Sequence, residues 1–197
     1  MKVRTISMRD HTNPGEVVVN TTSRSSIAWE TGLSPFFLGP CDLYGGRVAK
    51  NMENAWQFTK LYEEHADEYL EPTDDYWDWA MGGWYDQRAH RYPMGKGRKP
   101  ICSLWEGEQL NYIEARKRIY VPLYAEAVQK SNAWTMLKKL AETCDALALR
   151  DFDGYDHLPA GKTLTQVLND PSQKMGHAFV LMMLLTDDPA LQQCDMR

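Results

Sequence analysis

The sequence predicts an α+β fold that is mainly helical, with an N-terminal β-hairpin and a small sheet packed on helices. Two observations predict this class: short β-branched runs at the N-terminus, and apolar residues that recur at helical spacing through most of the remaining chain. A third observation is length, because 197 residues suffice for one substantial core but not comfortably for two. We therefore expect a single domain that spans residues 1–197.

The N-terminus contains two β-branched runs, KVRTISM and GEVVVNTT, separated by RDHTNPG. Asn, Pro and Gly in the separating segment favour a turn, so the runs predict two strands joined as a hairpin. The segment LSPFFLGPCDLYGG follows, with two prolines and three glycines. It predicts an irregular loop that delivers Phe36, Phe37 and Tyr44 to the body of the protein.

Residues 51–70, NMENAWQFTKLYEEHADEYL, predict a helix with one polar side. That side carries Glu53, Gln57, Lys60 and Glu64 at steps of four, three and four, so the side chains share a face. A solvated stripe with a weak contact between Glu and Lys would explain the pattern. A ligand site would explain it too, because the helix directly follows an aromatic loop rich in Pro and Gly.

The middle of the chain predicts further helices. DDYWDWAMGGWYDQRAHRY has helical spacing that is weakened at Gly82 and Gly83, and RYPMGKGRKP predicts a basic loop. EQLNYIEARKRIYVPLYAEAVQK predicts a long helix bent near Pro122, which lacks a backbone donor. Ser131 caps the next helix, NAWTMLKKLAETC.

The C-terminal part predicts one strand and two closing helices. DALALRDF predicts the strand, DGYDHLPAGK a loop, and TLTQVLND and KMGHAFVLMMLL the helices. We interpret His177, beside Phe179 in the last helix, as a hydrogen-bonded core histidine. DFDGYD predicts no calcium site, because the twelfth position counted from Asp151 is Lys162 and not an acid.

Composition excludes several classes of protein. A formal net charge of -5 argues against a nonspecific nucleic-acid coat protein, although a local basic patch can still bind phosphate. The sequence has neither a run of about 18 apolar residues nor a signal-peptide layout, so we expect a cytoplasmic protein without a membrane partner. The four cysteines lie singly without a CxxC pair, which predicts reduced thiols and no zinc site.

Two segments combine basic side chains with turn residues that suit a phosphate. RYPMGKGRKP places Lys96 and Arg98 among glycines, where backbone amides can approach an anion, but it lacks the complete Walker sequence because Gly97 follows Lys96. NTTSRSS places hydroxyls and Arg24 just after a strand. Ordinary solvated turns would explain both segments equally. Arg116 shares a helix face with Tyr120 and would reach either a ligand or the surface.

LSPFFLGPCDLYGG followed by MENAWQFTK resembles the start of the NADAR superfamily. Members have a Phe-rich loop and a Gly before the helix, then Glu, with Gln four residues later and Lys seven residues later. Glu53, Gln57 and Lys60 occupy those positions. The resemblance continues more faintly through LALRDFDGYDH and KMGHAFVLMMLL, and it covers about residues 33–185. DGYDH replaces the Trp-Gly of the family, and the middle of the chain looks like a divergent branch of uncharacterised and phage-type relatives.

The resemblance implies hydrolysis of the N-glycosidic bond of a phosphorylated riboside, or removal of ADP-ribose from a nucleobase, with no cofactor and no metal. ADP-ribosylated nucleic acid is a further candidate partner. Bond breaking develops oxocarbenium charge on the sugar, which a carboxylate such as Glu53 stabilises. Lys60 would keep Glu53 ionised or contact phosphate, and Gln57 would fix the carboxylate or a ribose hydroxyl. The departing base needs a proton. The donors considered are Asp153, Asp156 and His157.

Two other functions stay open from the sequence. The same pocket would suit a protein that binds a nucleotide or ADP-ribose without cleaving it, and the stripe would also fit the surface of a phage interaction or virion-associated protein, in which case the location is the host cytoplasm. The predicted catalytic residues are Glu53, Lys60, Asp153 and Asp156. The predicted ligand-binding residues are Arg24, Phe36, Phe37, Gln57, Lys96, Arg98, Arg116 and His157.

Overall fold

A computed structural model describes residues 2–196, which form the predicted mixed α+β fold of helices packed on small sheets. The helices are α1 (Ala28–Thr31), α2 (Met52–Gln57), α3 (Asp74–Tyr85), α4 (Tyr112–Ala115), α5 (Val121–Gln129), α6 (Asn132–Thr143), α7 (Leu164–Leu168) and α8 (His177–Leu185). The strands are β1 (Lys2–Ser7), β2 (Val17–Asn20), β3 (Cys41–Asp42), β4 (Val48–Ala49), β5 (Lys60–Leu61), β6 (Cys102–Trp105), β7 (Glu108–Leu110) and β8 (Ala146–Asp151).

The two N-terminal strands do not form the predicted hairpin. β8 lies between β1 and β2 and runs parallel to both, with Val3 opposite Leu147 and Val18 opposite Ala148. The hairpin prediction is wrong because β8 is apolar and fully buried from Leu147 to Leu149, so its backbone groups need a neighbour on each side. The carboxyl ends of all three strands therefore meet at one edge of the sheet.

Helix α8 covers this sheet. Its residues from His177 to Met183 are all buried, and the helix packs on β1 and β8 on one side and on α5 on the other. A helix that is apolar around its whole circumference belongs in a core, as the sequence predicts. No helix within residues 2–196 is both long and apolar enough to cross a membrane.

The helix predicted for residues 51–70 is much shorter in the structure. Asn51 caps α2 by accepting a hydrogen bond from the Asn54 N–H at 2.8 Å, but α2 ends at Gln57 and the chain continues into β5, which pairs antiparallel with β6. Phe58 explains the end: its ring packs so closely on α3 that a Cβ at Gly83 would clash with it. This tertiary contact overrides the helical periodicity of the sequence.

Most other local predictions are confirmed. α3 runs through both glycines, and Gly83 leaves room there for the ring of Phe58. Ser131 caps α6 by accepting a hydrogen bond from the Trp134 N–H at 3.1 Å. The long middle helix starts at Tyr112 rather than near Glu108, which lies in β7. Its predicted irregularity takes the form of a π-helical turn, Arg116–Tyr120, just before Pro122. The four cysteines are free thiols.

Candidate functional site

A cleft of about 640 Å³ opens where α2, the π-helical turn, the basic loop after α3 and the carboxyl ends of β2 and β8 meet. This volume lies in the range of clefts that hold nucleotide-sized ligands. Irregular segments supply much of its lining, whereas α2, β8 and α8 give it a rigid base. The topology thus assembles one site from segments far apart in the sequence.

Glu53, Gln57 and Lys60 form a hydrogen-bonded relay on one wall of the cleft. The Gln57 Nε2 donates to Glu53 Oε1 at 2.8 Å, and the Lys60 Nζ donates to Gln57 Oε1 at 2.6 Å. The amide group of Gln57 therefore stands between the ammonium and the carboxylate, although Lys60 belongs to β5 and not to the helix. Lys60 Nζ also lies 4.8 Å from the centroid of the Trp56 ring, a cation–π contact.

Burial shifts both ends of this relay towards their neutral forms. Glu53 is only 8% exposed, and this desolvation raises the pKa of its carboxyl group above the ordinary value, against the hydrogen bond from Gln57 and the positive charges of Lys60 and Arg91. Burial likewise lowers the pKa of Lys60 to about 8, helped by the like charge of Lys174 and opposed by Glu53. The cleft therefore holds two ionisable groups whose charges a bound ligand would readily change.

The cleft concentrates positive charge. Among the described residues, seven Lys and Arg side chains line it against three carboxylates. Within residues 2–196, only Arg91 and Arg98 of these seven form ion pairs, with Asp153 and Glu64 respectively. The seven are Arg24, Lys60, Arg91, Arg98, Lys99, Arg116 and Lys174. Because the whole chain carries a net charge of -5, this local excess predicts an anionic ligand.

We expect Lys60→Met to weaken the binding of an anionic nucleotide about tenfold without lowering the thermal midpoint. The ammonium makes one hydrogen bond to Gln57, so its remaining N–H groups are available to an anion. Because the pKa of Lys60 is about 8, the affinity of the wild type should fall as the pH rises through 8, and the variant should lose that dependence. Calorimetric titration with ADP-ribose between pH 7 and about 9 measures both effects.

The shifted pKa of Lys60 also predicts how the free energy of unfolding depends on pH. Folding lowers the pKa of Lys60 from 10.5 to about 8, so between these two pH values the unfolded state binds more protons than the folded state. The contribution of Lys60 to the free energy of unfolding therefore rises with pH over this range. Exposed Lys138→Met is the control and should change neither property. A large loss of stability in Lys60→Met with intact binding would instead give Lys60 a structural role.

Asp151 and His177 form a buried pair on another wall of the cleft. The His177 Nε2 donates to the carbonyl oxygen of Thr21 at 2.8 Å, and its Nδ1 lies 3.1 Å from Asp151 Oδ2. A carbonyl oxygen only accepts, so Nε2 must bear a proton, and Nδ1 faces the carboxyl group of Asp151. The pair therefore places an imidazole and a carboxyl group in contact at the edge of the cleft.

The start of α8 is built around this pair. Asp151 Oδ2 also accepts a hydrogen bond from the Ala178 N–H at 3.2 Å, and a Cβ at Gly176 would clash with the same oxygen. The carboxyl group of Asp151 is thereby fixed at the point where β8 ends and α8 begins. The interpretation of His177 as a buried, hydrogen-bonded histidine agrees with this geometry, but its ring also lines the cleft.

The structure brings most of the predicted site residues together. Those that line the cleft are Arg24, Phe36, Glu53, Gln57, Lys60, Arg98, Arg116 and Asp153. Arg116 differs from the others because its guanidinium group donates to backbone carbonyl oxygens of residues 167–173. It supports the wall of the cleft, and those donors are not free for a ligand.

Four predicted residues do not line the cleft. Phe37 is 63% exposed outside it, and Lys96 is absent from the lining although Gly95 and Gly97 contribute to it. Asp156 accepts a hydrogen bond from Arg4 Nη1 at 2.9 Å, and His157 is buried against Phe179. Asp156 and His157 lie apart from Asp153 because Gly154 carries the chain closely over the backbone of β1.

Sequence reasoning missed several residues that line the cleft. Asp151 could have been found, because it is the last residue of an apolar strand and the carboxyl ends of parallel strands commonly carry sites. His177, Phe152 and Lys174 offered no comparable signal. Their presence depends on how α8 and the loop before it pack on the sheet.

Residues 1–181 match a family model described as a family of unknown function (DUF6939), and the chain belongs to that family. The match includes every residue that lines the cleft. No curated protein and no solved structure matches the chain. The activity must therefore be inferred from the cleft itself.

Proposed function

We propose that this protein is an N-glycosidase that hydrolyses the bond between a nucleobase and the ribose of an ADP-ribosyl or phosphoribosyl compound. The resemblance of Glu53, Gln57 and Lys60 to the NADAR pattern suggests this reaction. The observation that carries the proposal is the position of Glu53, a buried carboxyl group on the wall of a cleft otherwise dominated by cations. The cations suit the phosphate groups of such a substrate, and the carboxylate suits the positive charge that develops on its sugar.

The geometry supports a role for each member of the relay. Gln57 holds Glu53 Oε1, which leaves Oε2 to face the anomeric carbon or the attacking water. In the reaction the C–N bond breaks, the hydroxyl group of a water joins the anomeric carbon, and the base nitrogen gains a proton from a donor. The proton that the water loses restores that donor. The Asp151–His177 pair and Asp153 lie within the cleft, which favours them over Asp156 and His157 as the source of the proton for the base.

Non-catalytic binding of a nucleotide or ADP-ribose is the second candidate function. The cations of the cleft other than Arg116 would hold such a ligand whether or not its glycosidic bond is cleaved. DGYDH in place of the Trp-Gly of the NADAR pattern favours this alternative. For either function we propose a cytoplasmic location, the host cytoplasm if a phage encodes the chain, where free thiols such as Cys41 stay reduced.

The test is to incubate the purified protein with ADP-ribosylated nucleobases and with phosphoribosyl-base compounds and to follow the free base by chromatography. We expect the base to appear together with the matching sugar phosphate or ADP-ribose, in proportion to enzyme concentration. Reactions without protein measure spontaneous cleavage. If no compound releases its base while calorimetry still detects nucleotide binding, the protein is a binder and not a hydrolase.

A further inference from the structure

We propose that Arg24 and Arg91, whose guanidinium groups both contact the ring of Phe152, form the subsite that binds the phosphate group of the ligand. This inference rests on the proposed function for its choice of ligand. The guanidinium carbons of Arg24 and Arg91 each lie over the Phe152 ring, 5.3 Å from its centroid. The three residues come from the loop after β2, the loop after α3 and the end of β8, so the fold brings them together from distant segments.

We call Arg24, Phe152 and Arg91 the clamp. Carboxylates of the protein neutralise only part of its positive charge. Within residues 2–196, Arg24 forms no ion pair, and Arg91 forms one with Asp153, whose closest distance is 3.3 Å. Two guanidinium groups near one ring repel each other, and the cation–π contacts offset only part of that repulsion. A dianion bound to both would remove the repulsion, which is the physical reason to expect one here.

Phe152 orients the guanidinium groups of Arg24 and Arg91 and does not offer its ring for stacking on a base. The residue is 37% exposed, and both guanidinium groups already lie over its ring. A planar guanidinium group on an aromatic ring presents its N–H donors in a fixed direction, and a phosphate accepts such paired donors. Ser23, which precedes Arg24, lines the same cleft and can add its hydroxyl group as a donor, whereas the N–H and hydroxyl groups of Thr22 both donate to Asn20 Oδ1.

The position of the clamp also orients the ligand. Phe152 directly follows Asp151, which contacts His177, so the clamp lies next to the Asp151–His177 pair. A sugar phosphate anchored at the clamp by its phosphate would direct its sugar towards Asp151, with the Glu53 relay on another wall of the same cleft. The ligand class is therefore a phosphate ester of a sugar, either a terminal phosphate or the diphosphate of an ADP-ribosyl group.

Calorimetric titration with ribose 5-phosphate, ribose and ADP-ribose tests the clamp without any turnover. We expect the wild type to bind both phosphorylated probes and not ribose. Arg24→Gln and Arg91→Gln should each weaken that binding at least about tenfold, equivalent to about 1.4 kcal/mol. The matched control is Arg88→Gln, an exposed arginine next to the same loop that does not line the cleft. It should bind like the wild type.

The comparison of probes assigns the phosphate. Equal losses for ribose 5-phosphate and ADP-ribose place the phosphate on the ribose 5-position, which both probes carry, at the clamp. A loss confined to ADP-ribose places the second phosphate of its diphosphate there. Wild-type affinity in both glutamine variants, or no binding of either probe by the wild type, would overturn the clamp. The titration measures binding without turnover. If Arg24 and Arg91 are needed for binding but no compound is cleaved, only the proposed hydrolase activity is refuted. Base release with an unchanged KM in both variants would refute only the clamp.

Discussion

Glu53→Gln is expected to lower turnover by at least about a hundredfold while the affinity for a nucleotide ligand stays within a few-fold of the wild type. Glutamine keeps the shape of the side chain, and its oxygen can still accept the hydrogen bond from Gln57 Nε2. What the substitution removes is the negative charge. That charge interacts most strongly with the oxocarbenium-like transition state and only weakly with the uncharged sugar of the bound substrate.

The stability of Glu53→Gln distinguishes loss of catalysis from loss of fold. Burial raises the pKa of Glu53, and a carboxyl group whose pKa rises on folding destabilises the native state at any pH above its unfolded value. A neutral amide at that position removes this cost, so the thermal midpoint at pH 7 should stay the same or increase. Inactivity with an undiminished midpoint would thus indicate a chemical role for the carboxylate.

The control for this experiment is Glu63→Gln. Glu63 is exposed and does not line the cleft, so its substitution should leave turnover, affinity and the thermal midpoint unchanged. Steady-state measurements of kcat and KM on any substrate that releases its base give the comparison. Equal turnover in Glu53→Gln and the wild type would end the catalytic assignment of this residue, and a change confined to affinity would favour the binding function.

The sequence predicts the fold where local signals decide it. The cap at Ser131, the strand before Asp151 and the apolar helix α8 are each encoded within a few residues, and all three occur in the structure. The N-terminal hairpin fails because its strands pair with β8, a partner from the other end of the chain. Adjacent strands of parallel sheets need distant segments, which the turn between the first two runs does not reveal.

The site shows the same division between local and distant signals. Glu53, Gln57 and Lys60 meet as expected, because the short helix places the first two side chains together and Lys60 reaches back from β5. The amide of Gln57 lies between the two charged groups, however, where the sequence suggests a contact between Lys60 and Glu53. Asp156 belongs with Asp153 to the acidic segment that resembles the NADAR pattern, but the close passage at Gly154 directs Asp156 to Arg4. Sequence proximity misleads wherever a glycine lets the chain cross another backbone.

Arg116 supports one wall of the cleft through hydrogen bonds to the backbone. It is 2% exposed, and within residues 2–196 its guanidinium group forms no ion pair with a carboxylate. Instead, Nη1 donates to the carbonyl oxygens of Val167 and Leu168 at 3.0 Å, and Nη2 donates to that of Gln173 at 2.9 Å. The cation thereby satisfies carbonyl groups at the C-terminal end of α7, where the helix dipole is negative.

This arrangement matters for the cleft because the segment held by Arg116 leads directly to Lys174 and His177. We expect Arg116→Met to lower the free energy of unfolding by about 3 kcal/mol, because the methionine fills the volume but removes the donors to the buried Leu168 carbonyl group and to the part-buried carbonyl groups of Asp170 and Gln173. For a chain of this length, such a loss lowers the thermal midpoint by roughly 10 °C. Arg116→Lys should recover only part of the loss, because an ammonium cannot reach every carbonyl that the planar guanidinium serves.

Urea unfolding of both variants beside Lys117→Met measures the effect. Lys117 is the adjacent residue, and its one side-chain hydrogen bond, to Gln193 at 3.4 Å, is exposed, so the control should change the free energy of unfolding by less than about 0.5 kcal/mol. In Arg116→Lys the loop before α8 should loosen, and ADP-ribose should bind more weakly even at temperatures where the variant stays folded. If Arg116→Met is as stable as the Lys117 control but binds no ligand, then Arg116 serves the ligand directly and its carbonyl contacts are dispensable.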